Sequence, residues 1–181
     1  VRDAIEGLAV ARHEPFGTMS VAEREVRTRL RARGRQLGDE RDPVRGTQGI
    51  TNLVATAAYE HWHRKLFARF LAANNLLIDP DGGARVALSL DDVRDRANAE
   101  GRTWPEVAAR YAQRLLPQIF RPDDPIFEMR LPMEATQALE AILDAIPAVV
   151  FTSDDALGWV YQYWQQDERE RAKSASGQVA P

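Results

Sequence analysis

Apolar side chains recur at helical spacing through most of the sequence, most clearly in a segment of roughly 25 residues at its centre. Between positions 50 and 71 these side chains lie three or four residues apart, as in a helix with a buried face. The length and apolarity of the segment predict the central helix of a core. Its apolar positions are Ile50, Leu53, Val54, Ala57, Ala58, Trp62, Leu66, Phe67, Phe70 and Leu71.

Three more helices have N-terminal capping signals. The pairs Ser20/Glu23, Ser89/Asp92 and Thr103/Glu106 have capping-box spacing and predict helices that extend to about residues 35, 100 and 116. Pro105 fits the first turn of the third helix, where its missing N–H costs nothing. The residues predicted to face inward there are Val107, Ala108, Tyr111, Leu115 and Leu116.

The remaining segments complete an all-α prediction: an irregular multi-helix bundle around one long central helix, with one short β-hairpin or extended piece at 85–88. A helix is predicted from about Met133 to Ala145, ended by Pro147. Residues 39–49 and 122–125 read as surface loops, and 79–83 as a turn. A last helix begins near 152–155, and its predicted buried stripe is Leu157, Val160, Tyr161 and Trp164.

The predicted domain organisation has three parts. Residues 1–18 are an N-terminal helical extension, residues 19–172 form the helical domain, and residues 173–181 lack periodicity and resemble a linker.

Composition favours a cytoplasmic globular protein. Hydrophobic residues make up 44% of the chain and charged residues 28%, and no apolar run is long enough to suggest a membrane span. The first residues lack a secretory signal pattern, and the absence of cysteine excludes disulfides and thiolate metal sites.

Arginine dominates the basic residues, although the net charge is −3. Spacing of three or four residues places four arginines of the first capped helix on one stripe that could follow a phosphate backbone. The alternative is a solvated face, paired in part with Glu23 and Glu25. Arg64 belongs to a second basic cluster that includes Arg69, and at least one of these two is expected to be buried beside an acid. The candidate DNA-binding residues are Arg24, Arg27, Arg31, Arg35 and Arg64.

Motifs of catalysis are missing from the sequence. His61 and His63 would point about 200° apart on a helix, so they share a metal poorly. No nucleophile elbow, phosphate-binding loop or paired catalytic carboxylates occur, and paired acids fall at helix starts, where they favour the helix dipole. We therefore predict no catalytic, cofactor-binding or metal-binding residue in this chain.

A second aromatic face near the C-terminus predicts an interface. Trp159 and Tyr163 lie four residues apart, on a different face from the predicted buried stripe, and must pack on another helix or a neighbouring domain. Gln162 and Gln166 beside them could hydrogen-bond at such an interface.

Two segments carry a family resemblance. Residues 58–74, AYEHWHRKLFARFLAAN, resemble a helix of large bacterial DNA methyltransferases, which include the BREX phage-defence enzymes and related fused restriction-modification enzymes. Residues 151–164, FTSDDALGWVYQYW, are similar to a second signature of these enzymes, D-x-L-G-W-x-Y-Q-Y-W. The matching positions are Tyr59, Arg64, Arg69, Phe70, Asn74, Leu157, Gly158, Trp159, Tyr161, Gln162, Tyr163 and Trp164.

The resemblance covers roughly residues 20–175 and implies a parent enzyme that methylates adenine N6 in DNA with S-adenosylmethionine. The base-holding Asn/Asp-Pro-Pro-Tyr/Phe loop and the cofactor-binding strand–Gly–helix unit of such enzymes are not in this sequence. The tail at 173–181 would then lead to the missing methyltransferase domain.

Two functions follow as hypotheses. In the first, the chain is the N-terminal helical domain of this methyltransferase, which packs on the catalytic domain through the Trp159/Tyr163 face and helps to hold double-stranded DNA. In the second, it is a protein-interaction module that recruits other defence proteins or mediates self-association. A DNA role predicts steep salt dependence of binding, whereas a protein role need not.

Overall fold

The computed structural model describes residues 1–79, 86–156, 158 and 162. These residues form helices and one two-stranded antiparallel ribbon, which confirms the predicted all-α bundle with a short hairpin. The elements are α1 (Arg2–Gly7), α2 (Val21–Gln36), α3 (Thr51–Ala73), β1 (Leu77–Ile78), β2 (Ala87–Leu88), α4 (Leu90–Glu100), α5 (Trp104–Leu115), α6 (Pro117–Phe120), a 3₁₀ helix (Pro125–Glu128), α7 (Met133–Ala145) and α8 (Ala148–Thr152). No helix among the described residues is long and apolar enough to cross a membrane.

The chain divides into two compact units, residues 1–145 and 146–181. The boundary predicted after residue 18 is not a boundary between these units. Ile5 and Val10 are fully buried in the same cluster as Leu30 of α2, Leu53 of α3 and Ile126 of the 3₁₀ helix. The N-terminal segment is therefore part of the core, while the tail predicted at 173–181 lies outside the described residues.

Helix α3 is the centre of the first unit, as its apolar periodicity predicts. It packs against α2, α4, α5, β1 and the 3₁₀ helix, and no residue from Leu53 to Asn74 is in the exposed class. A helix covered on nearly all sides buries most of its side chains whatever their polarity. This explains why Glu60 and Arg69 are buried on it together with the apolar stripe.

The N-terminus of α3 is capped by a residue distant in sequence. Ile50 is the N-cap and supplies no side-chain acceptor. The buried carboxylate of Asp39 accepts hydrogen bonds from the backbone N–H groups of Asn52 and Leu53, at 2.9 Å each. The acid thereby satisfies two donors that the helix leaves free and lies at the positive end of the helix dipole.

The predicted capping signals are present at α2, α4 and α5. Ser20 and Glu23 form a complete capping box, and Ser89 and Asp92 form another. At α5 the Glu106 carboxylate accepts from the backbone N–H of Thr103 at 3.3 Å. Short-range signals therefore determine where these three helices begin.

Several local predictions are corrected. Leu115 is exposed rather than inward, because α5 ends there and α6 redirects the chain to bury Phe120 instead. The 39–49 segment is a surface loop only in its middle, since Asp39 and Gln48 are buried. The extended piece at 87–88 pairs with an unpredicted strand at 77–78. Helix α8 was likewise not predicted, and the stripe Leu157, Val160, Tyr161 and Trp164 lies outside the described residues.

We expect Asp39→Ala to lower the free energy of unfolding by about 1–3 kcal/mol, because it leaves two N–H groups at the start of α3 without a partner. Asp95→Ala is the matched control: this acid is exposed on α4 and should cost less than about 0.5 kcal/mol. Urea denaturation measures both. Equal stabilities of the two variants would show that the cap does not stabilise α3.

Candidate nucleic-acid interface

Positive charge is concentrated in the N-terminal part of the chain. Of the 24 basic and 27 acidic residues, nine arginines and six acids lie between positions 9 and 49. This segment is therefore net positive in a chain whose total charge is −3. Its parts are brought together by hydrogen bonds from α2 to the residues before and after it.

Arg27 of α2 binds the N-terminal segment by its main chain. Its Nε donates to the carbonyl of Ala9 at 3.0 Å, and its Nη2 donates to the carbonyls of Arg12 and His13 at 2.7 and 2.9 Å. Ala9 has a φ of 53°, in the left-handed region that non-glycine residues rarely adopt. The guanidinium therefore holds a tight bend of the chain in place.

Arg31, one turn later, continues this arrangement. Its Nη1 donates to the carbonyl of Val10 at 2.7 Å and also to that of Arg12, while its Nη2 donates to Gly46 at 2.9 Å. One guanidinium thus joins the N-terminal segment to the loop after α2. We call Arg27, Arg31 and the carbonyls they bind the arginine clasp.

The basic stripe predicted on α2 is interrupted by the two buried arginines of the clasp. Arg27 and Arg31 are each only 8% exposed, and burial lowers the pKa of both guanidinium groups. Their donors point at main-chain carbonyls, so a continuous exposed stripe of four arginines is not present. Charge reversal at either position would disturb the fold before it reported on DNA.

Five other arginines of the segment are exposed, and in the described part of the chain none forms a salt bridge with a carboxylate. We call them the arginine face: Arg12, Arg24, Arg35, Arg41 and Arg45. Arg31 binds the carbonyls of Arg12 and of Gly46, the neighbour of Arg45. The positive charges of Arg41 and Arg35 also lie close enough to Arg31 to lower its pKa further.

Half of the acids in this segment are occupied by backbone donors. Glu23 accepts from Ser20, Asp39 from the start of α3, and Asp42 from the N–H groups of Val44 and Arg45. Glu14, Glu25 and Glu40 are exposed beside the arginines. The face consequently keeps an excess of unpaired positive charge, which suits a polyanion.

Sequence reasoning found two members of the arginine face and missed three. Arg24 and Arg35 belong to the predicted stripe, and both are exposed; Arg35 also donates to Gln48 Oε1 at 3.2 Å. Arg12, Arg41 and Arg45 lie in segments without periodicity. The clasp holds those segments beside α2, together with Gln48, which donates to the carbonyls of Ala11 and Arg31. These contacts are long-range, and no local pattern encodes them.

Arg64, the fifth predicted DNA-binding residue, has internal partners. Its guanidinium carbon lies 4.4 Å from the ring centroid of Phe127, and its nitrogens donate to Gln113 Oε1 at 2.8 Å and the Phe120 carbonyl at 3.3 Å. Burial lowers its pKa. Arg69 lies 3.7 Å from Asp144 Oδ1, which confirms the expectation that one of the two arginines is buried beside an acid.

An open cavity of about 590 Å³ lies beside Arg64, and His61, Lys65, Glu106, Phe127 and Arg130 are among its lining residues. Burial lowers the pKa of His61 to about 4, although its Nε2 lies 3.2 Å from the Ile126 carbonyl. Lys65 pairs with Glu140 at 2.9 Å. His61, Arg64 and Lys65 are thus engaged with groups outside the cavity lining. Within the described ranges, no group of three or more His, Asp or Glu could hold a metal ion.

The predicted domain interface is only partly described. Gln162 is exposed. Trp159, Tyr163 and Gln166 lie outside the described residues. The role of these four residues stays a prediction.

Comparison of the chain with protein-family models, with curated proteins and with solved structures gave no significant match.

We expect Arg31→Ala to destabilise the first unit by about 2 kcal/mol or more, because buried carbonyls of the N-terminal segment and of Gly46 lose their donor. Urea denaturation gives the magnitude, and amide hydrogen exchange should accelerate at residues 9–13. Arg24→Ala is the control and should change stability by less than about 0.5 kcal/mol. If the two variants were equally stable, the clasp would not hold the segment.

We expect stability to fall as the pH is lowered from 6.5 towards 4, in part because of His61. The unfolded chain binds a proton at this histidine at a higher pH than the folded chain does, so acid favours unfolding. At pH 7 the His61 side chain is mostly neutral in both the folded and the unfolded chain, so its burial costs little stability there. His61→Gln should remove up to about 3 kcal/mol of this pH-dependent loss. Parallel curves of unfolding free energy against pH for the two proteins would contradict the assignment.

Proposed function

We propose that the chain is the N-terminal helical domain of an adenine-N6 DNA methyltransferase from a restriction-modification or phage-defence system. The proposal combines the resemblance at residues 58–74 and 151–164 with the exposed charge at positions 12–45. The domain would help to hold double-stranded DNA and would pack on the catalytic domain through the face that carries Trp159 and Tyr163. It would not be catalytic by itself.

The observation that carries the DNA-holding role is the arginine face. Five guanidinium groups without carboxylate partners offer planar, always-charged donors that match phosphate oxygens. Contacts to phosphates position a protein on a duplex without reading its sequence. Such a role suits an accessory domain, since base recognition would fall to the catalytic part of the parent.

Because the clasp holds the backbone in place, the arginine face is suited to positioning DNA. The side chains of Arg12 and Arg45 project from backbone segments that Arg31 holds against α2. Binding therefore needs little ordering of the main chain, which lowers the entropic cost of association. S-adenosylmethionine would supply the methyl group in the separate methyltransferase domain, and the role of this chain is confined to binding and orienting DNA.

We expect the full 181-residue chain to bind a labelled duplex with an affinity that falls steeply with salt. Five phosphate contacts predict a slope of log K against log salt near −4.5, or roughly 500-fold weaker binding at 200 mM than at 50 mM salt. Arg41→Gln and Arg45→Gln should each reduce the slope by about 1. Fluorescence anisotropy across a salt series measures both quantities.

Arg102→Gln is the matched control, because this arginine is exposed outside the face and lies 3.6 Å from Glu100. It should leave the slope unchanged. Equal slopes for all variants would show that binding does not use the arginine face. A lack of duplex binding at 50 mM salt would overturn the DNA-holding role.

A second candidate function, a protein-interaction module, is favoured by the outer face of α7. Ile142 is 63% exposed, and Ala135 and Ala138 lie exposed on the same side of the helix. Exposed apolar surface of this kind suits a protein partner better than a nucleic acid. In this case association should depend on Ile142 and vary little with salt, and the anisotropy experiment would show no specific effect of Arg41 or Arg45.

A further inference from the structure

The loop after α2 ends in a small apolar tip between two arginines. Val44 is 92% exposed, and Pro43 beside it is exposed as well. Arg41 and Arg45 flank this pair and are exposed members of the arginine face. The tip thus presents two apolar side chains between two guanidinium groups.

Hydrogen bonds within the loop fix its shape. Asp42 Oδ1 accepts from the backbone N–H groups of Val44 and Arg45 at 2.8 and 3.0 Å. The backbone carbonyl of Asp42 accepts from the N–H of Gly46 at 2.8 Å. The backbone N–H of Asp42 donates to the Thr47 carbonyl at 2.9 Å. The Asp42 side chain is therefore engaged by the loop's backbone, and the loop forms a turn with both ends paired.

The base of the loop is anchored to the rest of the domain. Gly46 has a φ of 66°, and a Cβ at this position would clash with the His13 ring, so the backbone lies directly on that ring. The Gly46 carbonyl accepts from the buried Arg31. An antiparallel bridge between Arg41 and Gln48 closes the loop below the tip. A tip held in this way can be pushed into a groove without a large loss of backbone entropy.

We propose that the Pro43–Val44 tip enters the minor groove of duplex DNA, with Arg41 and Arg45 on the phosphates at either side. This inference rests on the DNA-holding role proposed above and adds the groove and the residues that enter it. Apolar wedges flanked by basic side chains are a known means of minor-groove contact.

Size and chemistry favour the minor groove over the major groove. A two-residue tip is small beside a major groove of about 12 Å but matches a minor groove of about 6 Å. Proline and valine side chains have no donor or acceptor with which to read the polar major-groove edges. On the minor-groove floor, the amino group of guanine would obstruct the valine methyl groups, so A·T pairs should be preferred.

The test compares the full chain with Val44→Ala on three duplexes that differ only at their centre, where they carry A·T, G·C or inosine·C pairs. Inosine lacks the minor-groove amino group of guanine but keeps its major-groove edge. We expect Val44→Ala to weaken binding to the A·T and inosine·C duplexes about fivefold and binding to the G·C duplex little, with the salt slope unchanged. Val86→Ala is the control: an exposed valine beside β2, outside the arginine face, that should have no effect.

Three other results would each overturn the inference, and each would do so for a different reason. If the inosine·C duplex behaved like the G·C duplex, the tip would read the major groove. If Val44→Ala bound all three duplexes as tightly as the unsubstituted chain while Arg45→Gln still reduced the salt slope, the DNA-holding role would stand but the Pro43–Val44 tip would not enter the groove. If the chain bound none of the duplexes, both proposals would fail together.

Discussion

The burial of two guanidinium groups against main-chain carbonyls is the constraint on which the N-terminal part of this structure depends. Arg27 and Arg31 have no carboxylate partner in the clasp, so the cost of burying their charge is offset by several charge-assisted hydrogen bonds to carbonyl oxygens. These hydrogen bonds fix the bend at Ala9 and hold the loop after α2 beside the same N-terminal segment. Together with Gln48, whose backbone N–H donates to the Ala11 carbonyl, they connect the three segments.

A second long-range contact couples this region to the central helix. Gly34 lies in α2 and its carbonyl accepts from the N–H of Asp39, whose carboxylate then caps α3. Gln48 donates to the Arg31 carbonyl at 2.9 Å and accepts from Arg35. The loop of the proposed wedge is therefore supported from both ends by buried polar groups, each of which has its partners.

The two segments that carry the family resemblance, residues 58–74 and 151–164, do not include the arginine face. The matching residues of α3, among them Tyr59, Arg64 and Arg69, lie in a helix with no exposed residue between positions 53 and 74, which is consistent with a packing role. The arginine face lies at positions 12–45, apart from both matching segments. The proposed function thus draws on two separate observations, a sequence resemblance and the exposed charge. The apolar surface of α7 remains available for a partner in either case.

The sequence by itself determined those features of the fold that depend on residues a few positions apart. The periodicity of α3 and the capping boxes of α2 and α4 act within one or two turns, and they located these helices and the all-α class. The four arginines of the predicted stripe, Arg24, Arg27, Arg31 and Arg35, have the same helical spacing, yet only the middle two are buried. The tertiary structure alone decided that, because the residues that cover Arg27 and Arg31 come from positions 9–13 and 46. Hydrogen bonds between segments distant in sequence leave no periodic signal, and they determined which charges face the solvent.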